Sequence, residues 1–384
     1  MFPERYVHLE QARRQFGNRV ERLGAMLGEG DPLADEAAAV LSTLPPPRRE
    51  EVLRQLTAGV LPSSTPEPLL RLSEHIHHVP FWVDDERCDR GGAAFLRTGI
   101  FGGFVLAFRS LVMGYCSPAG NKPLAFSGRL KTAAPRRLSE TSHFVEAVCL
   151  RGGMRPGAPG FAAAVRVRLM HAQVRRLLEG SPRWNARAWG TPINQLDMAG
   201  TVMLFSLEVV DGLRRLGVQL SPEEVEELLH LWRYTGYVLG VREELLPATE
   251  AEARTIWQLI TLTQELPDED ARALADALLQ SPRLQARTPE ELSRAERAVE
   301  IGYAISRHLI GDTYADALGY PRNAWGLVVP LLRVVVSNTS SLLRRVPGVD
   351  MLALNAGMTY WRKAVSMGLA GADATYDMPE HLPG

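Results

Sequence analysis

Apolar side chains recur at helical spacing along most of this 384-residue chain, and proline or glycine turns separate one periodic segment from the next. Residues 163–178 (AAVRVRLMHAQVRRLL) show the pattern best. Ala164, Val167, His171, Val174 and Leu178 fall on one stripe, with Arg166, Arg168, Arg175 and Arg176 beside or behind it. Residues 165–169 also alternate and suit a short strand, but the alternation ends at Met170 while the helical spacing continues. Helix starts are marked by Thr191-Pro192 for an apolar segment 192–216, by Ser221-Pro222-Glu223-Glu224, by Thr249 and by Thr288-Pro289-Glu290-Glu291, whose helix runs to about Ile310. Residues 267–279 make a short helix. Residues 325–343, broken by Pro330, and 351–369 make two more. The first eighty residues read as short helices between proline turns, and residues 100–116 as a buried helix. No repeat and no strand pair is found.

The expected architecture is therefore all-α, a single large helical domain of on the order of a dozen helices. Its N-terminal helices span 1–78, a core 79–250, C-terminal helices 251–372 and a loose tail 373–384. With 46% hydrophobic residues the chain can bury a large core, and a formal net charge of −1 gives it no basic excess for nucleic acid. Segment 100–116 is short for a membrane span and contains Arg109, so no stable membrane insertion is expected. The polar start, without an apolar stretch, leads to the expectation of a cytoplasmic protein. Cys88, Cys116 and Cys149 form neither a C-x-x-C pair nor a C-x-x-C-H site, so any haem is held non-covalently.

Candidate chemistry starts at His171. An inward-facing histidine is either a core imidazole satisfied by hydrogen bonds or a neutral axial ligand for haem iron. Arg166, Arg168 and Arg175 are candidate partners for haem propionates, or else a solvated helix face. Upstream, in a helix beginning near Arg137, Arg137, Thr141, Phe144 and Val148 share a face. Glu140 sits at its edge and His143 lies further round. The glycine-rich connection 151–160 makes the two helices antiparallel neighbours and brings the Arg137–Thr141 turn and His171 toward one cavity. His75, His77 and His78 with Asp84 fit no standard metal spacing. Asn194, Gln195 and Asp197 are expected to tie helices together, and Trp232 and Tyr234 to be core aromatics.

Several stretches resemble the haem-b oxygenases grouped around latex clearing protein (rubber oxygenase) and the MpaB-type enzymes. They are Val79-Pro80-Phe81-Trp82-Val83-Asp84, Arg137-Leu138-x-x-Thr141, Val167-Arg168-Leu169-Met170-His171-Ala172-x-Val174-Arg175 and Pro192-Ile193-Asn194-Gln195-x-Asp197-Met198. Trp232-Arg233-Tyr234-x-Gly236 and Leu239-Gly240-Val241, leading to Leu245-Leu246-Pro247, add to them. The resemblance implies a globin-like core holding haem b, with His171 as proximal iron ligand. It places Arg137 and Thr141 on the oxygen-binding side. The activity it implies is that of a haem-dependent oxygenase, using O2 to oxidise or cleave an apolar unsaturated substrate, isoprenoid- or lipid-like. Members that cleave rubber carry a lysine before that threonine, where this chain has Glu140. Glu140 is thus a candidate acid or base, a sixth iron ligand, or a structural partner of Arg137 or His143. A peroxidase or hydroxylase on the same scaffold, a haem-binding sensor or carrier, and a cofactor-free interaction protein are the other readings.

Overall fold

The computed structural model describes residues 2–126, 134–343 and 348–369, together with 374, 376, 378, 379 and 381 of the tail; the side chains of 134, 135, 137, 339–343 and 367–369 lie outside the description. Among the described residues every regular element is helical, in 22 α-helices with short 3-10 and π turns between some of them. The number exceeds the dozen expected because turns divide several long apolar segments.

Local chemistry sets many of the boundaries. Ser221 and Thr288 each close a reciprocal capping box with the glutamate three residues on. Thr249 accepts from the Glu252 amide. Three boundaries differ from the sequence pattern. The segment 192–216 starts its helix only at Gln195, where Asn194 Oδ1 accepts from the Asp197 amide and so outcompetes Thr191 as the cap. That segment then breaks at Ser206, giving helices Gln195–Phe205 and Leu207–Leu216. Conversely, Pro330 does not break helix Trp325–Leu343. Pro330 is exposed, and the Gly326 carbonyl it deprives of a donor faces water. Segment 100–116 is helical as expected, with one π turn at Leu106–Ser110.

The helix Pro159–Glu179 lies at the centre of the site region, against helices Pro32–Ser42, Pro46–Ala58, Ala134–Cys149 and Pro222–Val238. Its contact with Ala134–Cys149 is close: a Cβ on Gly160 would stand 2.6 Å from the Ala147 carbonyl oxygen. A glycine is required there by proximity alone. One apolar cluster runs from Tyr6 to Trp361 and joins these helices into one large domain. No single helix among the described residues is long and apolar enough to cross a membrane. The helices Asp85–Leu96 and Ile100–Tyr115 reach that composition only as a pair bent by 85°.

The tail, expected to be loose, is tied down where it is described. The Tyr376 hydroxyl donates to the Glu140 carbonyl at 3.2 Å, and Gln173 Nε2 donates to the Pro379 carbonyl at 3.1 Å. The sequence pattern missed this because both partners are remote in the chain.

Candidate functional site

The helix carrying His171 has two unlike sides. On the deeply buried side are Phe161, Val165, Arg168, Leu169, Ala172 and Arg175. The stripe read from sequence is fully buried only at its ends, Ala164 and Leu178. Between them Val167, His171 and Val174 keep accessible surface. His171 is nonetheless deep. Burial, and secondarily the charge of Arg175, push its pKa down to about 4, so the ring is neutral at pH 7. Its Nδ1 is buried and has no hydrogen-bond partner among the described residues. An interior imidazole with an unsatisfied nitrogen is not the satisfied core histidine described above.

The arginines behave differently. Arg168 is 2% exposed and grips Asp31 through two bonds, Nε to Oδ2 at 2.7 Å and Nη2 to Oδ1 at 3.0 Å, while Nη1 donates to the Val238 carbonyl at 3.2 Å. Gly240 makes room for this pair: its φ is +84°, and a Cβ there would lie 2.3 Å from Asp31 Oδ2 and 2.5 Å from Arg168 Nε. Arg175 donates to the carbonyls of Pro192 (3.1 Å) and Ile193 (2.9 Å) and pairs with Asp35. Ile193 is the one described non-glycine residue at positive φ, +50°. A β-branched residue there is strained, and Arg175 clamps the turn. Arg166 pairs with Glu50 at the surface. All three guanidinium groups are therefore committed to protein acceptors.

On helix Ala134–Cys149, Glu140 Oε1 accepts from Arg136 Nε at 2.9 Å, one turn back. Arg136 is thus a partner that was not weighed from sequence. Thr141 is half-buried. Arg137's side chain lies outside the described residues. His143 Nδ1 sits 3.1 Å from the Tyr376 hydroxyl. Burial, and then the Glu140 charge, raise that phenol's pKa well above its ordinary value. Counting back along two antiparallel helices from the Gly160–Ala147 contact places His171 level with the first turns of Ala134–Cys149, since each residue rises about 1.5 Å in both. Eleven residues back from Ala147 is Arg136, so the Glu140–Thr141 turn lies four to five residues, about 6–8 Å, from the level of His171 on the adjacent helix. Below Thr141 the same face continues into Phe144, whose ring is 6.1 Å from Trp232. Trp232 in turn stacks on Phe205 at 5.0 Å. Trp232 and Tyr234 are core aromatics, each 1% exposed.

The residues that sequence reasoning passed over are Asp31, Asp35 and Tyr376. Asp31 and Asp35 stand one turn apart at the start of helix Pro32–Ser42, a spacing that offers two carboxylates to one neighbour. Tyr376 carried no signal. Asn194, Gln195 and Asp197 tie helices as expected. Gln195 bonds the Gly30 and Gly240 carbonyls and the Arg242 amide, and Asp197 takes a two-point bond from Arg5. Among the described residues no group of histidine, cysteine and carboxylate side chains is arranged to hold a metal ion, so His75, His77 and His78 form no such site. His75 instead stacks on Tyr237 at 4.9 Å.

Among the described residues this is an all-helical fold with an interior histidine whose Nδ1 has no hydrogen-bond partner. Residues 97–337 match the family described as "ER-bound oxygenase mpaB/B'/Rubber oxygenase, catalytic domain", and the chain belongs to that family of oxygenases. It is similar to the rubber oxygenase of Streptomyces sp. (strain K30), with 28% identity over 321 residues that cover 78% of this chain and 74% of that protein. Its fold is shared with the latex clearing protein LCP in its closed state, at a TM-score of 0.67, 24% identity, and coverage of 88% of this chain and 91% of that one.

Proposed function

We propose that this protein is a haem b-dependent oxygenase that uses O2 to oxidise or cleave an apolar unsaturated substrate of the polyisoprenoid or lipid class, with His171 as the iron's axial ligand in a globin-like core. The observation that carries this reading is the His171 ring itself. It is interior, neutral at pH 7, without a hydrogen bond at Nδ1, and open on the side of Val167 and Val174. A neutral imidazole keeps a free lone pair on one ring nitrogen, the donor that haem iron takes. Membership of the oxygenase family and similarity to a protein named rubber oxygenase support the reaction class and the substrate class.

The haem, when bound, supplies the oxygen chemistry. The rest is work for the chain. His171 would hold the iron through its ring nitrogen. Arg168 and Arg175, bound to Asp31, Asp35 and the Pro192–Ile193 turn, hold the helix that carries it in place rather than reaching for propionates. Thr141 offers a hydroxyl donor from the neighbouring helix, with Arg137 beside it in sequence. Glu140, steadied by Arg136, can accept or return a proton at its carboxylate. Phe144, Trp232 and Phe205 pack into one aromatic cluster further along the face that carries Thr141.

Absorption spectroscopy of the purified chain tests the cofactor: a Soret band is expected, lost in His171→Ala. A colourless wild-type protein that takes up no added haem overturns the reading. Oxygen consumption with polyisoprene oligomers then tests the reaction. Glu140→Gln is expected to keep the haem and slow turnover by about 10²–10⁴-fold, the usual contribution of a positioned acid–base group. An unchanged rate removes Glu140 from the chemistry.

A further inference from the structure

The helix Trp325–Leu343 buries only one side. Val329 and Val336 pack toward helices Pro289–Ile310 and Leu207–Leu216. On the opposite side Leu327, Leu331, Val334 and Val335 are 78%, 67%, 59% and 61% exposed, at the i, i+4, i+7, i+8 spacing of a single stripe. Val328, 47% exposed, widens it. Elsewhere in the described chain, large exposed apolar side chains are mostly scattered singly, which is ordinary for a protein surface; a continuous stripe of them is not.

Residues 325–343 carry one charged side chain, Arg333. From Ala324 to Val349 the sequence holds Arg333, Arg344 and Arg345 and no carboxylate. Arg333 is exposed. It also acts on Arg215 of the neighbouring helix, whose pKa is lowered by burial first and then by the charges of Arg109 and Arg333. The carboxylates just upstream, Asp312 and Asp316, are already paired with Arg307 and Arg322. An aliphatic stripe in a basic segment fits a surface that is apolar beneath and negative at its rim. A second copy of this chain would bring the same positive segment against itself.

We propose that the exposed face of helix Trp325–Leu343 rests on the surface of an anionic phospholipid bilayer, lying in the plane of the interface without crossing it. This assignment is independent of the cofactor at His171. In a bilayer setting the aliphatic stripe enters the boundary between headgroups and acyl chains, and Arg333 stays at headgroup level.

Vesicle flotation with the full chain tests it, using phosphatidylcholine vesicles with and without phosphatidylserine at low and high salt. Binding is expected to the vesicles containing phosphatidylserine and to fall as salt rises. The triple variant Leu327→Ser, Leu331→Ser, Val335→Ser removes exposed side chains only, so it keeps its circular dichroism melt. It is expected to lose at least about tenfold in vesicle affinity. Arg333→Glu is expected to weaken binding to phosphatidylserine vesicles several-fold without changing the melt. Absence of wild-type binding, binding indifferent to phosphatidylserine, or binding retained by the triple variant overturns the proposal. So does a wild-type dimer in sedimentation that the triple variant converts to monomer without any vesicle binding, since that gives the face to a second copy.

Discussion

Two sides of one helix, Pro159–Glu179, follow opposite rules. The side carrying Arg168 and Arg175 is the more deeply buried, yet their charge finds partners: Asp31 takes two bonds, Asp35 one, and three main-chain carbonyls take the rest. The side carrying His171 is less buried and leaves a ring nitrogen with no partner. Deep burial of a charge is stable only when it is saturated, whereas a neutral ring can leave one nitrogen unpaired at a smaller cost. The contrast separates two charges that are fully committed to the fold from a neutral ring that is not.

The sharpest way to break the contrast is to empty the saturated side. Arg168→Ala leaves Asp31 buried without a counter-charge and is expected to cost about 3–5 kcal/mol in urea unfolding. His171→Ala, on the unsaturated side, removes an unpaired polar atom and is expected to cost far less in the chain without haem. If the two variants melt alike, the distinction falls.

Acid is next in size. His171, with a pKa of about 4 in the folded chain against 6.5 when free, takes up its proton later than the unfolded chain does. The unfolded state therefore binds more protons between these values. Stability is full above pH 6.5, falls as pH drops toward 4, and levels off below it. The contribution is up to about 3 kcal/mol from the shift alone. His75 and His230, lowered to about 4 mainly by burial, add slope of the same sign. Urea titrations from pH 7 to 4 are expected to show a shallower decline in His171→Ala.

Smaller effects probe the frame. Asn194→Ala removes the cap that starts helix Gln195–Phe205 and is expected to cost about 1 kcal/mol. Arg136→Ala breaks a pair in which the arginine is 60% exposed, and a change below about 0.5 kcal/mol is expected. The same variant frees Glu140, so a shift in the pH profile of turnover without a shift in melting temperature would tie Glu140 to the chemistry.

How much of this was legible in the sequence depends on how far each interaction reaches. The capping boxes at Ser221 and Thr288 are local, and their helices begin where the letters say. The Glu140–Arg136 pair is equally local, at i, i+4, and was there to be read. The roles of Arg168 and Arg175 were not. Their partners Asp31 and Asp35 lie 137 and 140 residues away, so periodicity set these arginines beside or behind the apolar stripe, while the folded chain makes theirs the buried side. Pro330 misled for the opposite reason, because a rule about lost hydrogen bonds applies weakly where water can supply the donor. His171 stood out in the sequence by its place in an apolar stripe and by the motif around it, whereas its buried Nδ1 without a partner, a feature it shares with ring nitrogens of His75 and His77, exists only in three dimensions.

The bond from Gln173 to the Pro379 carbonyl spans 206 residues, so it also has a meaning in time. A ribosome adding about 5–20 residues per second releases the first of these positions roughly 10–40 seconds before the second. During that interval helices Ala134–Cys149 and Pro159–Glu179 are both made, while the tail residues that will bond to each of them are still being synthesised. Until the last stretch of chain arrives, the pair is held by its own packing alone.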